Sequence, residues 1–220
     1  MQFFIDGNQI NGENFIQTLE LNKSALDNVQ QVPDLELHIE GEQVFYLNRK
    51  RQKIEINIRS QLEYHKKFFY KNSYYEQPLF KALGFKRSKS HPNVLDCTAG
   101  MLGDSLLIYS LTKKLTALER NPLVALLIVS TLKKMPLNSF NFQHINCLNF
   151  SLAEFDTIYF DPMYEQKNLK SAPKKEMLFF REMIGADNDR LETFKHLIEA
   201  KKRVVVKRSQ KADPLLKPHM

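Results

Sequence analysis

Ile158-Tyr159-Phe160-Asp161-Pro162-Met163-Tyr164 joins a run of large apolar residues to a carboxylate, a proline and an aromatic ring. The run has the length and bulk of a buried strand, and it delivers Asp161 to its C-terminal end. Pro162 fixes the backbone φ immediately after the carboxylate. In an open α/β sheet that end of a strand faces the ligand crevice, so the segment predicts a parallel sheet with Asp161 at its working edge. Taken without its surroundings, the same stretch reads equally as a strand-to-loop turn that Asp161 starts and against which Tyr164 packs.

Outward from this segment, strand-like and helix-like stretches alternate. Strands are predicted at Val94 to Cys97, Leu115 to Glu119, Phe140 to Ile145, Thr157 to Asp161 and Arg203 to Lys207. Helices are predicted at Asp104 to Leu111, Pro122 to Lys134, near Lys174 to Met183 and at Arg190 to Lys201. Asn121-Pro122 is a helix start with a mechanism: a capping side chain, then proline at the first helical position. Alternation of this kind predicts an α/β domain with a mostly parallel, helix-covered sheet.

Toward the N-terminus the period changes to two. Leu35, Leu37 and Ile39 alternate with polar residues, Val44-Phe45-Tyr46 follow Gly41, and Ile54, Ile56 and Ile58 alternate again, which predicts a small antiparallel sheet. A helix from Arg59 to Lys71 and a second ending near Gly84 follow. Lys86 to Pro92 has little to bury and reads as a linker. The expected organisation is a small N-terminal α+β subdomain over 1–85, with helices at 60–84 that contact a partner, a linker at 86–92 and the main domain at 93–220.

A chain of 220 residues, 43% of them hydrophobic, supports one sizeable core with an appendage. Met1 to Ile10 lack a cationic start and a long apolar stretch, and no apolar run approaches a bilayer span, so a soluble cytosolic protein is expected. Cys97 and Cys147 form neither a disulfide framework nor a zinc spacing; they read as small buried residues, with a place for Cys147 on a pocket wall left open. The net charge is +7, yet residues 1–44 carry −7, which leaves +14 for the rest. Such asymmetry suggests that one surface meets a polyanion.

Val94-Leu95-Asp96-Cys97-Thr98-Ala99-Gly100-Met101-Leu102-Gly103-Asp104 places two glycines between a strand and a helix, where the backbone can approach a ligand closely. The spacing is not the dinucleotide G-x-G-x-x-G loop. Asp96 and Asp104 would repel a pyrophosphate and favour a cationic or hydroxyl-rich ligand, which demotes NAD. A plain βα turn capped by Asp104 is the competing reading. Glu119 ends the next strand, where an acid commonly accepts ribose hydroxyls. Alone it reads as a solvated surface group, but with the glycine turn and Asp161 it brings three strand ends to one crevice. Asn146 and Cys147 follow the next strand and read equally as purine-edge contacts or as a plain loop. Asp161 with an aromatic ring beyond the proline suits a planar base bearing an amine, such as an amino-purine.

These residues together resemble class I S-adenosylmethionine-dependent methyltransferases, and specifically the ribosomal small-subunit RNA guanine-N2 methyltransferases of the RsmJ family. The matching pieces are Val94-Leu95-Asp96 with Thr98-Ala99-Gly100, Leu118-Glu119-Arg120-Asn121-Pro122, Tyr159-Phe160-Asp161-Pro162-Met163-Tyr164, Lys174-Lys175-Glu176-Met177 and Lys202-Arg203-Val204-Val205-Val206-Lys207-Arg208, in that order. A weaker match reaches back through His65-Lys66-Lys67-Phe68 to Leu83-Gly84. The resemblance implies a Rossmann-like fold and a methyl-donor site at Asp104, Glu119, Arg120, Asn146, Cys147 and Asp161. Asp96, Thr98, Gly100 and Gly103 complete the donor turn. Family members usually carry Gly and Arg where this chain has Leu102 and Gly103. Only Ser209 to Met220 follow the last strand, too few for both a helix and the family's closing hairpin, so that hairpin is expected to be absent.

The resemblance further implies a reaction without a metal, on a guanine amine of small-subunit ribosomal RNA or of the small subunit itself. Asp161 and the Pro162 carbonyl would accept the amine hydrogens, and Tyr164 would stack on the base. His65, Lys66, Lys67, Lys71, Lys167, Lys170, Lys174, Lys175, Lys207 and Arg208 are the candidates for phosphate contacts, although each lysine alone reads as solvated. His65 reads as structural or phosphate-contacting rather than as a general base. Phe68, Phe69, Tyr70, Tyr74 and Tyr75 divide between core and RNA. The competing functions are methylation of adenine in DNA or RNA, and a non-catalytic RNA-binding assembly protein that has lost donor binding.

Overall fold

The computed structural model describes residues 2–5, 8–10, 36–41, 43–48, 50–69, 76–86, 90–162 and 189–208. These fall into two compact units, one formed by the described residues up to Ile58 with Asn121–Pro136, the other by Arg59–Arg120 and the described residues from Leu137 onward. The units therefore cut the chain at other places than 1–85, 86–92 and 93–220. Composition marks where charge and proline accumulate, whereas the units follow packing. Among the described residues no helix is long and apolar enough to cross a membrane, and no group of three or more His, Cys, Asp or Glu is placed to hold a metal ion.

The first unit holds β1 (Gln2–Ile5), β2 (Asn8–Ile10), β3 (Glu36–Glu40), β4 (Gln43–Leu47) and β5 (Lys53–Ile54) in the order β2-β1-β3-β4-β5. β3, β4 and β5 pair antiparallel, as the alternation over 35–54 predicts, and β1 adds to them parallel to β3. The alternation at Ile54, Ile56 and Ile58 does not continue the strand. Ile56 and Ile58 are buried, but β5 stops at Ile54 and Ile58 already opens the next helix. Helix Pro122–Lys134 belongs to this unit and lies on β4. Leu123 to Ile128 are all buried, and a helix apolar on every side must be covered on every side. Tyr46 donates its hydroxyl to Leu123 O at 3.0 Å, and the Val44 N–H reaches Ser130 Oγ at 3.2 Å. Asn121 caps the helix by accepting from the N–H groups of Leu123 and Val124, as its sequence predicts.

In the second unit, α1 (Ile58–Phe69) and α2 (Pro78–Leu83) precede the sheet strand β6 (Val94–Asp96). Then come α3 (Gly103–Thr112), β7 (Leu115–Glu119), α4 (the Pro122–Lys134 helix of the first unit), β8 (Phe140–His144), β9 (Thr157–Phe160), α5 (Arg190–Glu199) and β10 (Arg203–Val206). α2 ends at Gly84, whose φ of +85° makes the left-handed cap that glycine adopts without a Cβ penalty. All five strands are parallel, in the order β10-β9-β6-β7-β8. Every residue of β6, β7 and β9 is buried, as in a parallel sheet covered on both faces. On one side Leu95, Leu118, Phe155, Ile158, Phe160 and Leu197 form a core that Phe194, Val204 and Val206 extend.

The chain enters this sheet at β6, moves outward through β7 to β8, then crosses back to β9 on the other flank of β6. That reversal is a topological switch point, and ligands of open α/β sheets bind outside the strand C-termini at such a point. Asp96 and Asp161 end, or directly follow, the two strands that flank it.

Candidate active site

The turn after β6 hangs from its neighbours on both sides. The Cys97 N–H donates to Tyr159 O on β9, and the Ala99 N–H donates to Leu118 O on β7. Asp96, 1% exposed, accepts the Thr98 N–H at 2.9 Å and the Ser105 hydroxyl at 2.5 Å, so its carboxylate knits the turn to the first turn of α3. Burial pushes the Asp96 carboxyl up to about 7, against the pull of the Ser105 and Thr98 hydrogen bonds and with a further push from the Asp104 and Asp161 charges. Glu119, 7% exposed, accepts the Gly100 N–H at 3.0 Å. Gly100 has φ +50°, so glycine is what lets the backbone present that N–H.

Leu102 ends the turn in the left-handed region, φ +64°, with its side chain fully buried. Leu stands here in a conformation that costs a non-glycine residue about 1–2 kcal/mol. Gly103 has an ordinary φ, and a Cβ there would meet nothing within 4 Å. The exchange relative to the family pattern thus puts backbone strain at 102 and open space at 103. Leu102→Gly should relieve the strain and lose the buried side chain, a loss of about 2–5 kcal/mol in comparable cores. The net expectation is destabilisation by about 1–3 kcal/mol, read from urea unfolding. A more stable Leu102→Gly protein would mean that strain outweighs packing.

Acidic groups converge in front of the switch point. Asp104, in the first turn of α3, accepts the Tyr159 hydroxyl at 2.5 Å and the Lys207 ammonium at 2.7 Å on the same oxygen. Lys207 also reaches Asp161 at 3.0 Å. The Asp161 N–H is anchored on Thr98 Oγ1 at 2.7 Å, and the Lys207 N–H on Phe160 O at 2.9 Å. Burial would lower the Lys207 ammonium, but the Asp161 charge and the hydrogen bond and charge of Asp104 raise it above an ordinary lysine. Burial first, then the Asp104 and Asp161 charges, hold the Tyr159 phenol far above its usual value and so protonated.

Asp96, Thr98, Gly100, Gly103, Asp104, Glu119 and Asp161 therefore come together at one end of the sheet. Arg120, Asn146 and Cys147 stand at the ends of β7 and β8. Arg120 pairs with Asp189 at 2.5 Å, and Asn146 spends its side-chain oxygen on the Leu148 N–H, capping a short turn over Cys147–Asn149. Cys147 is buried in hydrogen-bond contact with Cys97; that bond, ahead of burial, holds the Cys97 thiol well above its usual range.

The phosphate candidates separate. Lys66 and Lys67 are exposed on α1, but His65 is 8% exposed and lies 3.1 Å from Gly103 O. His65, which the sequence leaves open as structural or phosphate-contacting, is thus placed against the backbone of the turn after β6. Burial lowers its imidazole below the usual value, more than Gly103 and Asp104 raise it. Lys207 faces acids, and Arg208 is half-buried. Tyr164, Lys71, Lys167, Lys170, Lys174, Lys175, Tyr70, Tyr74, Tyr75, the predicted helix near 174–183 and the segment after Arg208 lie outside the described residues, as does the Phe68 side chain.

Three residues that touch this end of the sheet were not singled out from the sequence: Gln61, Ser105 and Tyr159. Gln61 donates to Met101 O at 3.1 Å, four residues before His65 on the same face of α1. That spacing was a visible signal. A tyrosine inside the otherwise apolar run Ile158-Tyr159-Phe160 was another, since a buried hydroxyl needs a partner.

The chain matches the family model described as "Putative SAM-dependent methyltransferase" over residues 20–220. It is similar to proteins named ribosomal RNA small subunit methyltransferase J. The similarity is 37% identity over 153 residues in Thioalkalivibrio sulfidiphilus, 63% of this chain and 60% of that protein. In Buchnera aphidicola it is 33% over 179 residues, 76% of this chain and 71% of that protein. In Bdellovibrio bacteriovorus it is 33% over 188 residues, 81% and 73%. The match with the Thioalkalivibrio protein thus leaves more than a third of that relative's length unmatched. Among solved structures, a SAM-dependent methyltransferase from Neisseria gonorrhoeae shares the fold with a TM-score of 0.58 at 19% identity, covering 96% of this chain and 86% of that one. The switch-point crevice and these relatives agree: the chain belongs to the SAM-dependent methyltransferase family, among the ribosomal RNA small subunit methyltransferase J proteins.

Proposed function

We propose that the chain transfers a methyl group from S-adenosylmethionine to the exocyclic N2 amine of a guanine in small-subunit ribosomal RNA. The observation that carries this is the meeting of Asp104 and Asp161 at the switch point, beside a glycine turn held by Glu119. A sulfonium donor is a cation with a ribose, and the residues present fit it: carboxylates for the positive charge and a strand-end acid at the turn for the hydroxyls. The relatives named above support the choice of RNA.

S-adenosylmethionine supplies an already activated methyl group, so the protein's task is mainly alignment. The Asp161 carboxylate, with the Pro162 carbonyl, accepts hydrogens of the target amine and draws its lone pair out of conjugation with the ring. As nitrogen takes the methyl and gains positive charge, the same carboxylate stabilises it and receives the departing proton. Tyr164 supplies the ring face on which an unstacked base rests, a contact of about 1–3 kcal/mol. Exposed Lys66 and Lys67 contribute phosphate contacts that help offset the cost of unstacking.

The deciding experiment incubates the protein and labelled donor separately with small ribosomal subunits, naked small-subunit RNA and DNA, followed by nucleoside analysis. N2-methylguanosine in the ribosomal RNA is the expected product. Methyladenine would replace this reading with the adenine one, and an absence of donor binding by calorimetry would favour a non-catalytic RNA-binding protein. Glu119→Ala should weaken donor binding by about 1–3 kcal/mol, the range for lost charge-assisted hydrogen bonds. An unchanged affinity in a folded Glu119→Ala protein would remove Glu119 from the donor site.

A further inference from the structure

Lys207 was expected at the RNA surface, and its position speaks for another task. Its ammonium lies 2.7 Å from Asp104 and 3.0 Å from Asp161, so one cation joins the first turn of α3 to the residue that follows β9. Its backbone is fixed at the other end, because the Lys207 N–H donates to Phe160 O, one residue before Asp161. The parallel register that pairs Val206 with Phe160 brings residues 207 and 161 side by side at the crevice. The groups around this ammonium are Asp104 from α3, Asp161 after β9 and the Tyr159 hydroxyl of β9. Asp96 at the end of β6 acts on the same acids, and His65 from α1 faces Asp104.

Three carboxylates in one crevice repel each other, and like-charged acids at close range do not all stay ionised without a cation. A protonated or rotated Asp161 would no longer offer its charge to the target amine. A lysine engaged with two carboxylates is also a poor phosphate ligand, since its charge is already matched. We infer that Lys207 is a positioning residue: by bridging Asp104 and Asp161 it keeps the Asp161 carboxylate charged and aimed for the incoming amine. Once the amine is seated, its own growing positive charge shares Asp161 with the lysine. Lys207 makes no contact with the methyl group and donates no proton to the reaction.

This inference rests on the methyltransferase reading, and two measurements keep them apart. Carbon NMR of the lysine side chains should show Lys207 titrating above an ordinary lysine in the wild-type protein and falling back toward it in D161N. A Lys207 signal indifferent to D161N means there is no bridge and overturns the inference whatever the activity. In single-turnover methylation of small-subunit RNA at saturating donor, K207M and K207Q should be slowed roughly tenfold or more, with donor affinity by calorimetry within about threefold of wild type. The acid limb of their rate profiles should also move to higher pH, which a merely structural loss would not do. A rate within about twofold of wild type, an unmoved acid limb, or a slowing matched by weaker donor binding would each overturn it. A wild-type protein that methylates no RNA refutes the methyl-transfer reading instead, and the lysine titration then decides for or against the bridge.

Discussion

Asp161→Ala should lower the single-turnover methylation rate by roughly a hundred- to a thousandfold, the usual loss when a preorganised group is removed from a developing charge. The residue stands where such a group belongs: it follows a fully buried strand at the switch point, its N–H is fixed on Thr98 Oγ1 at 2.7 Å, and its carboxylate is held 3.0 Å from the Lys207 ammonium. Donor affinity should fall less than the rate, because Asp104 remains for the sulfonium charge and Glu119 with the Gly100 turn is untouched by the substitution. Asp161→Asn keeps the shape and one acceptor oxygen while losing the full charge, so its rate should fall between wild type and Asp161→Ala. Rates at saturating donor and RNA, compared with calorimetric donor affinities, separate the two effects. If Asp161→Ala transfers methyl at the wild-type rate, Asp161 serves only the turn.

The second large effect concerns Asp96 and the pH dependence of stability. Its folded-state carboxyl is raised to about 7, whereas in the unfolded chain it ionises near 4. The folded protein therefore binds the proton more tightly than the unfolded chain. Stability from this group is fully present below about pH 4, is lost as pH rises toward 7, and changes no further above that. Three pKa units correspond to a loss on the order of 4 kcal/mol. Asp96→Asn removes the titration while its amide can still accept from the Thr98 N–H and donate to Ser105. Relative to wild type, Asp96→Asn should gain about 2–4 kcal/mol on going from pH 4.5 to pH 8, as urea unfolding at the two values would show. Wild-type and variant stabilities that run parallel across this window would mean that Asp96 ionises in the folded protein at no cost.

The parallel sheet was legible because its signal is strong and local. Mostly apolar runs bounded by turn residues located β6, β7, β9 and β10 to within a residue or two, the alternating Phe140 and Phe142 located β8, and Asn121-Pro122 gave the start of α4 outright. Asp104, Glu119 and Asp161 were legible as strand-end and helix-start acids, since parallel strands bring such positions to one side. What sequence missed depends on which face a side chain occupies. The basic run His65-Lys66-Lys67 reads as one charged patch, but on α1 His65 lies one turn after Gln61 and both face the turn after β6, while the lysines face water. Lys207 reads from its charge and its basic run as a phosphate candidate, whereas its carboxylate partners follow from the β9–β10 register, which composition does not encode. β1 and β2 are short, four and three residues, too few for an alternation to stand out in the sequence.

The helix Pro122–Lys134 gives the molecule a property of inheritance as well as of packing. Its residues complete the N-terminal sheet, through the Tyr46 and Val44 hydrogen bonds, yet they are encoded between two strands of the methyltransferase sheet. No single cut in the gene separates the two units. A fragment ending at Ile58 would carry a sheet without the helix that lies on β4, and a chain starting at Arg59 would carry that helix with one apolar flank stripped bare. Such a sheet is not a cassette that recombination can lift out or a shortened genome can discard, and whatever role it has must evolve together with the catalytic half.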